Sequence, residues 1–352
     1  QDAIKAFHTL SRQALLDAIQ AVWPETTKIF NTFYGPPAPS VYIYDDDDDG
    51  NRIIRVSFNS EGTRAGCVFG SIGFDITLHH FVYKYLVKEF PSIITKALTD
   101  DLPSFITANS DKEWHAQYDN LAAFLLRYDA LANPINIKRH PAKGKTFLPA
   151  HAPHPKPHCR LLRLTTIVPL GVVMSGGFFG TEQGVIAHGI SKADSLQYRI
   201  DNIVLLATIK NAQASMRLLG IVANRGMDYM ARITPPLLLA PALAKFDLAI
   251  KNARHQILQL SHCMDPGLPE SVHQRSTLLT ELPLRDGGFG QISTTRLSPC
   301  AYIASVRATQ NDPLLAHPDN QRALLPFTVD AYSRLTDVLC APTSSFPIML
   351  KT

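Results

Sequence analysis

The sequence is poor in the features that most readily assign a function. Its five cysteines, Cys67, Cys159, Cys263, Cys300 and Cys340, are odd in number and far apart. With no C-x-x-C pair they indicate neither a disulfide framework nor a zinc ribbon, and a reducing compartment, nucleus or cytoplasm, is the expected setting. No apolar run reaches the length of a membrane span, because the longest candidate, "ITPPLLLAPALA", is short and broken by prolines. A membrane partner is therefore not expected. A G-x-S-x-G nucleophile elbow is missing, and the glycine-rich stretches "SGGFFGTEQG" and "GGFGQ" lack both the strand–G-x-G-x-x-G–helix context and a Gly-Lys-Ser/Thr. Those stretches read as loops. An excess of one charge is also lacking. The net charge of +4 over 352 residues is compatible with a nucleic-acid partner without requiring one.

What is present is a core-forming chain, 45% hydrophobic and 18% charged, long enough for two or three subdomains. Leu15, Leu16, Ile19 and Val22 recur at helical spacing behind Ser11, a fitting N-cap, and Pro24 ends that helix. "SVYIY" and "RIIRVSF" flank "DDDDDGN" and predict a hairpin, with Asp45 to Asp49 as a solvated tip. Further helices are expected over Phe74–Glu89 and Lys112–Leu131. Strand character returns at "TFLPA" and "TTIVPLGVVMSGG". Beyond that the pattern is mostly helical: Gly189–Ala223, Pro241–Leu260, Ser298–Thr309 and Val329–Leu339. In the second of these Phe246, Ala249, Ile250, Ala253, Ile257 and Leu260 share a face. The order is α/β first and all-α afterwards.

The stretch "KALTDDLPSF" raises the chemical question. Two adjacent carboxylates, Asp100 and Asp101, fit a turn between strands "SIITKALT" and "LPSFIT", since Asp is common where chains reverse. They also fit a metal site, because Mg²⁺ takes oxygen ligands and a two-metal phosphoryl-transfer centre requires converging carboxylates. Asp2 is the candidate third carboxylate. The cluster His151, His154, His158 and Cys159 is interleaved with prolines, which favours an extended loop over a zinc site.

The motifs occur in a recognisable order. "DAIKAFHTLSR" resembles the first palm motif, D-x-x-x-A-F, of the reverse transcriptases of non-LTR (LINE-type) retrotransposons. "SEGTRAGCVFGSIGF" resembles their second motif, and "ALTDD" their third, a YADD-like turn. "PINIKRHPAKGKTFLP", "VPLGVVMSG" and "ELPLRDGGFGQIS" are similar to segments that follow in that family. The resemblance spans nearly the whole chain. It implies an α+β fold, a polymerase palm with an antiparallel sheet and packed helices, followed by a mostly helical thumb and C-terminal region. Residues 1–175 would be palm with part of the fingers and 176–352 thumb and extension. A basic fingers region would precede Gln1 in a longer polymerase.

The resemblance further implies RNA-directed DNA synthesis, with an RNA template, a DNA primer and dNTPs as partners. Two Mg²⁺ ions, or Mn²⁺ in their place, would be held by Asp2 and Asp100 with Asp101 in support. Phe7 would match the aromatic beneath the incoming sugar, where a ring against C2′ excludes a 2′-hydroxyl. On its own, without the surrounding motif, Phe7 reads first as a core aromatic on an amphipathic helix. Gly62, Thr63, Arg64 and Gly66 would match the loop that approaches template and nucleotide, and they also suit a plain turn into the next helix. The pattern is departed from in places. Ala65 stands where the family has Gln, Cys67-Val68-Phe69 replaces Asp-Pro-Leu, and Leu98-Thr99 precedes the aspartates instead of Tyr/Phe-Ala. An alternative is thus a degenerate or repurposed relative that binds RNA or a protein without polymerising. Lys138, Arg139, Lys143, Lys145, Lys210, Arg217, Arg225, Arg232, Lys245, Lys251 and Arg254 are the cations available to track a phosphate backbone.

Overall fold

A computed structural model of the chain describes residues 6–44, 53–63, 67–96, 101–140, 143–208, 211–223, 225–258, 280, 282, 288–309, 311 and 318–340. Two compact units divide it, Gln1–Ser175 and Gly176–Thr352.

In the first unit a short turn of helix, α1 (Ala6–Thr9), precedes α2 (Arg12–Val22) and α3 (Thr27–Tyr34). Ser11 caps α2, its hydroxyl accepting from the Ala14 amide at 3.3 Å, a contact of a kind that stabilises by about 1 kcal/mol. Leu15 and Ile19 face fully inward while Val22 is half exposed, so the helical stripe is buried except at its last turn. Strands β1 (Ala38–Tyr44) and β2 (Ile53–Asn59) pair antiparallel, with Val41 opposite Val56. The tip Asp45–Asp49 lies outside the described residues.

Helix α4 (Val68–Leu78) runs through a π-helical segment, His79–Tyr83, into α5 (Lys84–Glu89). Strands β3 (Ile94–Thr95) and β4 (Ser104–Phe105) pair antiparallel on either side of the aspartate pair. Helix α6 (Asp111–Ala132) is capped by Ser110, whose hydroxyl accepts from the Glu113 amide while the Glu113 carboxylate accepts from the Asn109 amide. This is the reciprocal logic of a capping box, shifted outward by one residue. Tyr34, Phe30, Phe74, Tyr118 and Phe124, all essentially inaccessible, form the core between these helices.

After α6 come β5 (Lys145–Phe147), the single turn α7 (Leu161–Leu164), β6 (Thr166–Val168), β7 (Gly171–Met174) and β8 (Gly177–Gly180). Strands β5 and β6 pair in parallel. The expected α+β character holds in this coarse sense: helices dominate, and every sheet among the described residues has two strands. The strands are short, β3 and β4 having two residues each, and prolines at 91, 103, 149 and 169 interrupt any wider ladder. A palm-type sheet is not among the described residues.

The second unit is built on two long helices, α8 (Glu182–Thr208) and α11 (Pro236–Ile257). Between them run α9 (Ala212–Leu218), a π-helical segment (Leu219–Ala223) and α10 (Asp228–Ile233). Ala193, Leu196, Ile200 and Ile203 of α8 meet Leu239, Ala242, Leu243, Phe246 and Ile250 of α11 in one apolar cluster. Gly189 permits the close approach, since a Cβ there would stand 3.0 Å from Leu239 and 3.2 Å from Ala242. Helix α11 starts five residues before the expected Pro241. Pro236 occupies the first helical turn, where no backbone donor is needed. Helix α12 (Thr294–Thr309) is capped from afar, the Asp247 carboxylate accepting from the Thr294 and Thr295 amides at 2.9 and 3.0 Å and from the Ser293 hydroxyl at 2.7 Å. Helix α13 (Pro318–Cys340) completes the unit. No helix of the described residues is long and apolar enough to cross a membrane.

Candidate functional site

Among the described motif residues, Phe7 lies in α1, Gly62 and Thr63 lie in the loop after β2, and Asp101 lies just ahead of β4. Of the eight candidate site residues, Asp2, Arg64, Gly66 and Asp100 lie outside the described residues. Phe7, Gly62, Thr63 and Asp101 are described.

Three of those four come together. The Thr63 amide donates to the Phe7 carbonyl at 2.5 Å, and the Gly62 amide donates to the Leu10 carbonyl at 2.8 Å. The first and second motifs are thereby joined, main chain to main chain, across more than fifty residues of sequence. Gly62 is required at this point. Its φ is +69°, and a Cβ would stand 2.4 Å from the backbone of His8, closer than any side chain can be accommodated. Phe7 is half-buried and packs one ring on Phe74, with centroids 4.7 Å apart and planes at 33°. The core role and the site role expected for this residue are therefore both compatible with its position.

Arg12 had no signal in the sequence beyond following a cap. It is buried at 7% exposure, and its guanidinium donates to the Gly62 carbonyl at 3.0 Å and to the Pro36 carbonyl at 3.1 Å while lying 5.8 Å from the Tyr34 ring centre. The fork of donors spans two loops at once, which a lysine could not reproduce. Arg12 is what ties the Gly62 loop to the start of α2.

Asp101 lies just ahead of β4 and is half-buried. Its Oδ2 accepts from the Ser175 amide at 3.2 Å and from the Ser175 hydroxyl at 3.1 Å. Among the described residues no three His, Cys, Asp or Glu side chains group as metal ligands would. The donor chemistry of the motif aspartates is all oxygen, which suits a hard divalent ion.

The histidine-rich segment is a loop held on α6. The Tyr118 hydroxyl donates to the Pro153 carbonyl at 2.7 Å, and the buried Cys159 thiol donates to Asp119 at 3.8 Å. Burial raises the Tyr118 pKa above its ordinary value. The cations divide into two groups. Arg139 is paired with Asp129, Arg225 with Asp228 and Lys245 with Asp194, and Arg254 is buried and donates to Thr280. Lys138, Lys143, Lys145, Arg217, Arg232 and Lys251 are exposed. Lys210 lies outside the described residues.

No family model matches this chain, and no curated protein matches it.

Proposed function

We propose that the chain is the palm and thumb portion of an RNA-directed DNA polymerase resembling those of non-LTR retrotransposons. The observation that carries this reading is the bonding of the Gly62–Thr63 loop to the Phe7–Leu10 backbone. A template- and nucleotide-approaching loop has to be fixed against the segment that supplies the first carboxylate and the aromatic beneath the sugar. The backbone bonds from Gly62 to Leu10 and from Thr63 to Phe7 support this reading, as does the motif order.

Asp2 and Asp100, with Asp101 beside them, would hold the two Mg²⁺ ions, whose chemistry when bound is to neutralise charge on the phosphates of the incoming nucleotide. The chain's own residues position the reactants. Phe7, braced from one side by Phe74, would exclude a 2′-hydroxyl and so select deoxynucleotides. The Gly62 loop, free of side-chain bulk, would let the backbone come close to the nascent pair, and Arg64 would contact phosphate. The primer 3′-hydroxyl would attack the α-phosphate, breaking its bond to the β-phosphate and releasing pyrophosphate, with the gain coming from orientation of the two reactants. Exposed cations such as Lys138, Lys145 and Arg217 would add affinity for template and primer without reading sequence.

The departures at Ala65 and Cys67 motivate the second reading, a relative that binds RNA and no longer polymerises. Primer extension on an RNA template by the full-length polypeptide that carries this chain separates the two. The polymerase reading expects Mg²⁺-dependent extension that Asp100→Ala abolishes. Binding of RNA with no extension, indifferent to Mg²⁺ and to Asp2→Ala or Asp100→Ala, would replace it with the second.

A further inference from the structure

We propose that a hollow on the exposed face of α6 binds a small zwitterion with an apolar body, an apolar α-amino acid or a dipeptide. The site shares no residue with the motif loops, and it stands or falls apart from the polymerase reading. The hollow has a volume of about 550 Å³ and is lined by Asp119, Ala123 and Leu126 of α6 and by His158 and Arg160 of the loop ahead of α7. That size lies within the roughly 300–1,000 Å³ usual for small-molecule sites. Asp119, Ala123 and Leu126 stand at i, i+4 and i+7, one stripe of the helix about 10 Å long. Ala123, the smallest of the three, leaves the space between the other two. The wall is pinned at several points. The Tyr118 hydroxyl donates to the Pro153 carbonyl at 2.7 Å, the Cys159 amide donates to the Lys156 carbonyl at 2.8 Å, and Leu161 is fully buried. Pro153, Pro155 and Pro157 remove further freedom from this segment. The buried Cys159 thiol donates to Asp119, while its neighbours His158 and Arg160 are exposed and line the hollow.

The charges decide the class of ligand. Between Asp129 and Glu182 the chain has no Asp or Glu, and the carboxylate that lines the hollow is Asp119. Among the described residues the side chains of Arg160 and His158 have no hydrogen-bond or ion-pair partner, and the Asp119 carboxylate meets only the Cys159 thiol. A guanidinium and a carboxylate that share a hollow without pairing to each other can each take an opposite charge from a ligand lying between them. Arg160, with His158 close by in the turn, suits a carboxylate, which a guanidinium holds through two parallel N–H donors. Asp119 suits an ammonium, which only donates. Ala123 and the half-exposed Leu126 suit the apolar body. A phosphate ester fits less well, because its double negative charge would share the hollow with Asp119.

The test is a ligand-observed NMR titration of the full chain with phenylalanine, leucylphenylalanine, phenethylamine, 3-phenylpropionate and adenosine monophosphate. Phenylalanine or leucylphenylalanine is expected to bind, and the tighter of the two gives the length of ligand the hollow takes. Phenethylamine and 3-phenylpropionate each lack one of the two charges and should bind about fivefold more weakly. Arg160→Ala should erase the advantage over phenethylamine, and Asp119→Asn the advantage over 3-phenylpropionate. Both side chains are exposed, so neither change opens a cavity in the core, and asparagine keeps an acceptor for Cys159. Ala123→Leu fills the hollow while leaving both charges and should abolish binding. Arg163→Ala removes an exposed cation outside the lining and should leave binding unchanged. Tighter binding of 3-phenylpropionate or adenosine monophosphate than of either zwitterion overturns the proposal in favour of a plain anion site. Failure of both zwitterions to bind the wild type overturns it as well, and so does an Arg163→Ala effect equal to that of Arg160→Ala.

Discussion

Residues up to Ser175 and residues from Gly176 onward are held in shape by different means. The second unit is a matter of surface. Helices α8 and α11 bury a continuous apolar stripe, and what fixes them is the fit of Leu196, Ile200, Leu243, Phe246 and their neighbours. The first unit has a comparable core, yet its distinctive parts are loops fixed by individual bonds between residues far apart in sequence. Thr63 and Gly62 bond to Phe7 and Leu10, Arg12 bonds to Gly62 and Pro36, and Ser175 bonds to Asp101. Apolar packing tolerates small readjustments, since many weak contacts share the load. A loop pinned by two or three bonds has no such redundancy. The candidate site sits in the part of the molecule where single residues matter most.

The contrast can be broken from either side. The largest effect is expected from Phe246→Ala in α11, where a side chain at 1% exposure is removed from the α8–α11 cluster. The cost should be roughly 3–5 kcal/mol. Amide protection should fall across α8 and α11 and be unaltered at Gly62 and Thr63. An equal loss in both places would show that the two units do not respond separately.

A smaller and sharper effect comes from comparing two glycines. Gly62 and Gly290 have nearly the same φ, +69° and +65°, but a Cβ at Gly290 meets nothing within 4 Å while one at Gly62 meets the His8 backbone. Gly290→Ala should cost about 1 kcal/mol, the price of the left-handed conformation alone. Gly62→Ala should cost at least about 2 kcal/mol more, because a backbone clash of this kind belongs among the strongly destabilising substitutions. Thermal or denaturant unfolding of the two variants measures the difference. Equal costs would mean that the Gly62 loop is not docked on the first motif.

The smallest effect is a pH dependence in the second unit. His188 stacks on Phe178, with ring centres 5.2 Å apart. Burial lowers its pKa below 6.5, assisted by the charge of Lys192 and opposed by a hydrogen bond to the Gly176 backbone. The unfolded chain therefore takes up this proton at a higher pH than the folded one. The contribution is fully present above pH 6.5 and is lost as pH falls through the folded value. His188→Phe keeps a ring against Phe178 and removes the titration, so unfolding midpoints between pH 8 and pH 5.5 should vary less in the variant. An unchanged slope would assign the pH dependence elsewhere.

Much of the helical framework was legible in the sequence, because a buried stripe repeats along the chain. The stripe of Phe246, Ile250, Ala253 and Ile257, the cap at Ser11, the hairpin around Asp45–Asp49 and the hairpin around the aspartate pair are all local patterns. What was illegible is non-local. Nothing near residue 294 announces that Asp247 caps α12, and nothing near residue 12 announces that its guanidinium holds Gly62 and Pro36. The same holds for Ser175 and Asp101. The π-helical segments His79–Tyr83 and Leu219–Ala223 were also unread, since one extra residue per turn leaves an apolar pattern almost intact. In the candidate site the sequence named Phe7, Gly62, Thr63 and Asp101 by type, while the residues that fix them, Arg12 and Ser175, emerged only with the fold.

Whether the aspartate turn serves polymerisation, as proposed, is read out by primer extension. The full-length polypeptide, an RNA template, a DNA primer, dNTPs and Mg²⁺ would be combined, and wild type compared with Asp100→Ala. Extension by wild type, its loss on chelating the metal, and no extension above background by Asp100→Ala are the expected results. Equal incorporation by both proteins would contradict the proposal.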